Sequence, residues 1–141
     1  MSDNKTKIAV IGAGPGGYPA AFLAADLGLE VTLIDPEENP GGVCLYRGCI
    51  PSKALLDSSR QFHNLVHMFK DHGITAENPK IDVGAMIGRK DKIVKQFTGG
   101  ITQLFKGNKA NPVTPIAGFA TLKPGNVVSI KGHDGNTAEI S

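Results

Sequence analysis

Cys44 and Cys49 are the only two cysteines in the chain, and they stand five residues apart. On an ideal helix that spacing puts them about 7.5 Å apart along the axis and about 140° apart around it. A disulfide needs Cα atoms roughly 4.4–6.8 Å apart. A bond between them would therefore demand a distorted helix start, and Gly48 and Pro51 are residue types that permit one. A small constrained ring near a helix N-terminus is easier to reduce than a relaxed bridge, and the helix dipole there favours a thiolate. Three other readings use the same spacing. The cysteines could be two buried apolar residues with no bond, a pair of zinc ligands, or an inert staple. A structural zinc site wants four ligands and the chain has no third cysteine. A reducing compartment disfavours a staple. Spacing alone leaves the choice open.

Gly12-Ala13-Gly14-Pro15-Gly16-Gly17 fits the pattern G-x-G-x-x-G. Each glycine has a physical task in that pattern. Gly12 permits the tight turn, Gly14 lets backbone approach a pyrophosphate, and Gly17 lets the following helix pack closely on the strand. The helix N-terminus then offers free N–H groups and a positive dipole end to phosphate. An acidic residue about 20 positions on would hold a ribose hydroxyl. Asp35 stands there, at the end of a strand pattern. A glycine-rich turn serving only tight packing is the alternative, and the flanking strand, helix and acid argue against it.

The elements that position these residues are legible from periodicity. Lys7 to Ile11 is an apolar β-rich run, Tyr18 to Leu27 is rich in Ala and Leu and ends at Gly28, and Glu30 to Ile34 is a second strand. That βαβ start predicts a parallel sheet with a right-handed crossover. Glu37 to Gly42 is a loop. Cys44 to Asp71 is helix-like, with interruptions expected around Gly48 and Pro51 and an end at Asp71 to Gly73. Asp82 to Lys106 is a long amphipathic helix, with Gly99–Gly100 as a point of loosening. Val113 to Ala117, Phe119 to Lys123, Val127 to Lys131 and Asn136 to Ile140 are short strands, separated by turn signals at Pro124-Gly125-Asn126 and His133-Asp134-Gly135.

Composition narrows the function classes. A chain of 141 residues has room for one domain, and 40% hydrophobic residues are enough for a core. A net charge of +2 argues for neither nucleic acid nor an anionic membrane as partner. The longest apolar runs are far short of a bilayer span. The N-terminus shows no signal or transit pattern, so a cytoplasmic protein is expected. His63 and His67 stand four apart on a helix and could face a metal, but a site needs more ligands, and solvated positions are the better reading. No metal site is expected.

Gly41-Gly42-Val43-Cys44 followed by Gly48-Cys49-Ile50-Pro51-Ser52-Lys53 resembles the disulfide motif of the pyridine nucleotide-disulfide oxidoreductases. Within that family, Gly48 to Leu56 resembles the dihydrolipoamide dehydrogenase branch. Glutathione reductases usually carry Lys where Ser52 stands, and mercuric reductases share much of the motif and form a minor alternative. The resemblance covers nearly the whole chain. It implies an α/β, Rossmann-like FAD-binding fold, with a parallel sheet and a small antiparallel β-meander. Residues 1–141 would form its N-terminal FAD-binding domain, part of a larger fold that binds two dinucleotides.

The resemblance also implies roles. Gly12, Gly14 and Gly17 would take the FAD pyrophosphate, Asp35 the adenosine ribose, and Gly41 and Gly42 would let backbone approach the cofactor. Lys53 would sit near the reactive edge of the flavin, and the backbone at Gly118 and Ala120 near adenine. Cys44 would be the thiol that exchanges with dihydrolipoamide, and Cys49 the thiol that faces the flavin. NAD, the final acceptor, would bind a further domain. The substrate would ride on the lipoyl-carrying protein of a 2-oxoacid dehydrogenase or glycine cleavage complex, and the full-length protein would be a homodimer. The family's next strand, its NAD domain and the dimerisation domain with its catalytic histidine lie outside these residues, and His63, His67, His72 and His133 do not match that histidine. Asp35 stands where the family most often has Glu, and Tyr46-Arg47 where many members have Asn-Val. Two other readings remain: a dinucleotide-binding module without catalysis, and a thiol module without flavin.

Overall fold

Short β-branched runs form strands where alternate side chains can be buried, and Lys7–Ile11 and Glu30–Asp35 do so as β1 and β2. The computed structural model describes residues 6–107 and 112–141. Within it the described residues divide into two compact units, one made of residues 6–43, 98–107 and 112–141, the other of residues 44–97.

In the first unit β1 pairs in parallel with β2, and β2 pairs in parallel with β3, Val113–Ala117. The sheet order β1-β2-β3 places β2 in the middle. Both of its faces are therefore covered, and its side chains alternate between two cores. Val31 and Leu33 pack with Ala21 and Ala25 of α1, Gly17–Asp26. Ile34 packs on the other face with Val128 and Ile130 of the second sheet. Burying each of these branched side chains contributes about 1.5–3 kcal/mol. The alanines of α1 let helix and sheet approach closely. The helix stops because Gly28, at φ +89°, takes the left-handed conformation, and the N–H groups of Gly28 and Leu29 close back on the carbonyls of Ala25 and Ala24.

The second sheet is an antiparallel meander of β4 (Phe119–Lys123), β5 (Val127–Lys131) and β6 (Thr137–Ile140). Of the four strands expected after the long helix, the first joins the parallel sheet and the other three form the meander. The expected α/β class, with a parallel sheet and a separate antiparallel meander, is what the chain adopts.

The second unit is helical. A short helix α2, Gly42–Tyr46, leads into α3, Cys49–His67, and then a 3₁₀ turn at Phe69–His72. Gly73, at φ +76°, ends that turn. The helix α4 begins here at Val83 and runs to Gly107. Two sequence expectations are corrected. Pro51 does not interrupt the helix. It occupies the first turn of α3, where a missing N–H has no intrahelical partner to lose. Nor does α4 loosen at Gly99–Gly100, where it stays helical throughout. Among the described residues, no helix is long and apolar enough to cross a membrane.

Candidate functional site

The glycine loop joins β1 to α1 and is held on several sides. Gly12, at φ +98°, turns the chain and donates its N–H to the Ile34 carbonyl at 2.7 Å. A Cβ on Gly17 would lie 1.7 Å from the Gly12 carbonyl oxygen, so only glycine fits where helix meets loop. A Cβ on Gly14 would meet nothing within 4 Å. Gly14 therefore edges open space, as a backbone cradle for a pyrophosphate requires. Gly42, at φ +60°, comes so close to Gly14 that a Cβ there would lie 2.7 Å from the Gly14 Cα. Gly41 donates its N–H to the Ala13 carbonyl at 2.8 Å. The glycines expected to act at one place are thus brought together in the first unit, and the arrangement fits a dinucleotide phosphate.

Asp35 does more than end a strand. One carboxylate oxygen accepts the Ala13 N–H at 2.6 Å, and the other accepts the Glu37 N–H at 2.8 Å. It thereby ties the glycine loop to the segment that leads to Gly41 and Gly42. Each oxygen keeps a lone pair for a ribose hydroxyl. A small cavity of about 150 Å³ lies beside it, lined by Ala13, Asp35, Glu37, Glu38 and Ala117 among others. Gly118 donates its N–H to the Asp35 carbonyl at 2.9 Å. A Cβ there would lie 2.8 Å from the Lys131 carbonyl oxygen, so Gly118 is required by packing between strands. Ala120 packs against the core of Ile34, Val128 and Ile130.

In the second unit the two cysteines come together by a break in the helix. Arg47 and Gly48 separate α2 from α3, and Gly48 adopts φ −125°, ψ −112° in front of Cys49. Cys44 is half-buried, Cys49 is exposed, and both are free thiols. The Cys44 thiol donates a hydrogen bond to Cys49, and this bond, with some burial, raises its pKa above the ordinary thiol value; the Cys49 N–H and the Lys53 charge oppose the rise. Cys49 opens α3, whose dipole favours negative charge at that end. Ser52 secures this end of the helix, its hydroxyl donating to the Gly48 carbonyl at 2.6 Å. Lys53 is exposed, one turn on from Cys49.

Two residues that sequence reasoning did not single out support these arrangements. Arg89 of α4 donates to the Ala54 carbonyl at 3.1 Å and pairs with Asp57 at 2.7 Å, holding α4 to the cysteine-bearing helix. In the first unit the His133 ring nitrogen Nε2 lies 2.6 Å from the Pro36 carbonyl oxygen. Both contacts join residues distant in sequence, and no local spacing signals them. The rings of His63 and His67 lie with centroids 4.7 Å apart, tilted at 44°, and among the described residues no group of three or more metal-binding side chains forms.

The model of the family described as pyridine nucleotide-disulphide oxidoreductase matches residues 6–135. The chain is 44% identical over 131 residues to a mitochondrial dihydrolipoyl dehydrogenase of Pisum sativum, a match covering 93% of this chain and 26% of that protein. It is 50% identical over 120 residues to a dihydrolipoyl dehydrogenase of Cupriavidus necator, covering 79% of this chain and 25% of that protein. The crystal structure of LpdA from Mycobacterium tuberculosis superposes with a TM-score of 0.81 at 26% identity, covering 96% of this chain and 29% of the other. The chain thus spans about a quarter of the length of the curated relatives it matches.

Proposed function

The chain belongs to the pyridine nucleotide-disulphide oxidoreductase family, and from that membership we propose that it forms the FAD-binding, disulfide-bearing part of a dihydrolipoamide dehydrogenase. The observation that carries the proposal is the cysteine pair: Cys44 and Cys49 meet across a helix break, at the dipole-favoured end of α3. Relatives with similar sequence include dihydrolipoyl dehydrogenases.

In the proposed reaction the oxidised Cys44–Cys49 pair meets the dithiol of dihydrolipoamide. One substrate thiolate attacks the Cys44 sulfur, the Cys44–Cys49 bond breaks, and Cys49 leaves as a thiolate. The second substrate thiolate then attacks its own sulfur of the mixed disulfide and releases Cys44. The substrate leaves as a cyclic disulfide, and its two electrons rest on the protein's two sulfurs. Proton release accompanies the exchange, and the Cys44–Cys49 hydrogen bond keeps one proton on Cys44. Lys53 lowers the cost of negative charge nearby. Bound FAD would supply the two-electron acceptor that passes a hydride to NAD. Gly12, Gly14, Gly17, Gly41, Gly42 and Asp35 would hold its dinucleotide portion.

We assign the natural substrate to a lipoyl-carrying protein of a 2-oxoacid dehydrogenase or glycine cleavage complex, the full-length protein to a homodimer, and its setting to the cytoplasm, where a reducible pair can cycle. The test adds FAD to the purified chain, removes unbound cofactor, and reduces it anaerobically by two electrons. A long-wavelength absorption band that disappears in Cys49→Ser and survives in Cys44→Ser is the expected result. Loss of all FAD on removal of unbound cofactor would leave this chain without a flavin site of its own. FAD retained without the band would instead favour a dinucleotide-binding module with no thiol chemistry.

A further inference from the structure

We infer that His133 is a positioning residue of the dinucleotide site, bracing from the far sheet the loop that follows Asp35. The inference rests on the reading of the glycine loop as a dinucleotide site.

His133 lies in the turn between β5 and β6, 97 residues from Pro36. A carbonyl oxygen can only accept, so Nε2 must carry the proton in this contact, in the neutral Nε2–H tautomer or the imidazolium. The ring is oriented from a second side by Phe119, which it meets edge-on with centroids 5.8 Å apart and planes at 71°. The turn that presents it is rigid on its own terms. The Asp134 carboxylate accepts the Asn136 N–H at 3.0 Å and the Asn136 amide at 2.7 Å, and the Gly132 N–H reaches the Asn136 carbonyl at 2.8 Å.

From this anchor a continuous set of bonds runs to the glycine loop. The Gly118 N–H holds the Asp35 carbonyl and His133 holds the next one, that of Pro36. With two successive carbonyls held, at Asp35 by the residue that leads into the meander and at Pro36 by the turn between β5 and β6, the backbone that carries the Asp35 side chain is fixed where its carboxylate meets the N–H groups of Ala13 and Glu37. Ala13 in turn receives the Gly41 N–H. Pro36, Glu37, Glu38 and Asn39 are all exposed, between the buried Ile34 and Pro40. The brace reduces the motion left to this exposed stretch, so less entropy is lost there when a ligand binds.

The experiment compares the 141-residue chain with His133→Ala, His133→Phe and His133→Gln. FAD affinity is measured by calorimetry, and amide hydrogen exchange is followed at Glu37 and Gly41. Alanine should weaken FAD binding about fivefold, the worth of one hydrogen bond, and speed exchange at both amides. Phenylalanine keeps a ring against Phe119 but cannot donate, so it should behave like alanine. Glutamine, with an amide N–H of similar reach, should restore most of both readouts. Unchanged affinity and unchanged exchange in His133→Ala would overturn the inference, as would full rescue by phenylalanine. If the wild-type chain binds no FAD, it has no flavin site of its own, and that result alone shows it. The exchange comparison then still decides the brace: faster exchange at Glu37 and Gly41 in the alanine variant upholds it, and equal exchange refutes it.

Discussion

Glycines that look equivalent in a motif separate once their surroundings are known. Gly17 is needed for packing, because a methyl group there would run into the Gly12 carbonyl. Gly14 faces open space, and a methyl group would fill only the volume a phosphate needs. Gly17→Ala should therefore destabilise the chain by about 1–3 kcal/mol in denaturant unfolding. Gly14→Ala should leave stability within about 0.5 kcal/mol of wild type while weakening FAD binding about tenfold or more. Equal loss of stability in both variants would contradict the division. The cysteines also differ. The hydrogen bond to Cys49 raises the Cys44 pKa, so the protonated thiol is favoured in the folded state. The stability this bond contributes is present at neutral pH and is lost as pH rises through the raised value. Cys49→Ala removes the acceptor, and the ultraviolet thiolate absorbance of Cys44 should then titrate at lower pH than in the wild-type chain.

Elements were legible where the signal is local. β1, β3, β4 and β5 match the expected runs residue for residue, since Gly or Pro follows directly on each of them. Sheet membership was not legible. Nothing within Val113–Ala117 tells it to pair in parallel with β2 rather than join the meander, because pairing is decided by burial of both faces of β2. The glycine and cysteine motifs could be read because their residues are neighbours in sequence. The Arg89–Asp57 and His133–Pro36 contacts could not, since they span 32 and 97 residues. Gly99–Gly100 misled for a related reason. Glycine lowers helix propensity, but the continuous hydrogen bonding of a 25-residue helix overrides two weak positions. Both glycines are exposed, and a Cβ at either would meet nothing within 4 Å. Gly99→Ala and Gly100→Ala should thus each raise stability by about 1 kcal/mol, read as a higher melting temperature. A drop in either would mean that the backbone there is used for close approach.

On the scale of the whole chain, the parallel sheet has an open side. β1 pairs with β2 alone among the described strands, so its other edge presents unpaired N–H and C=O groups. A groove of about 640 Å³ lies beside it, lined by Lys7, Ile8 and Ala9 of β1, Glu30 and Thr32 of β2, and Val128, Glu139 and Ile140 of the meander. Its floor is partly apolar, with Ile8 at 39% exposure. The strand carries no proline and a single charge, Lys7, and an edge so lightly protected is a template for another strand. The isolated 141-residue chain should therefore self-associate as its concentration rises, and sedimentation velocity should show a mass that climbs with concentration. Ile8→Lys places a charge in the groove and should shift the population back toward monomer. The fold itself should survive, because Ile8 is not among the buried core residues, which include Val31, Leu33 and Ile34. Thermal unfolding of the variant at low concentration checks this, and should stay close to wild type. A wild-type chain that sediments as a monomer throughout and melts in one sharp cooperative step would show that twist and the neighbouring meander already protect the edge. In that case the lysine variant should differ from wild type only by the small cost of a surface substitution.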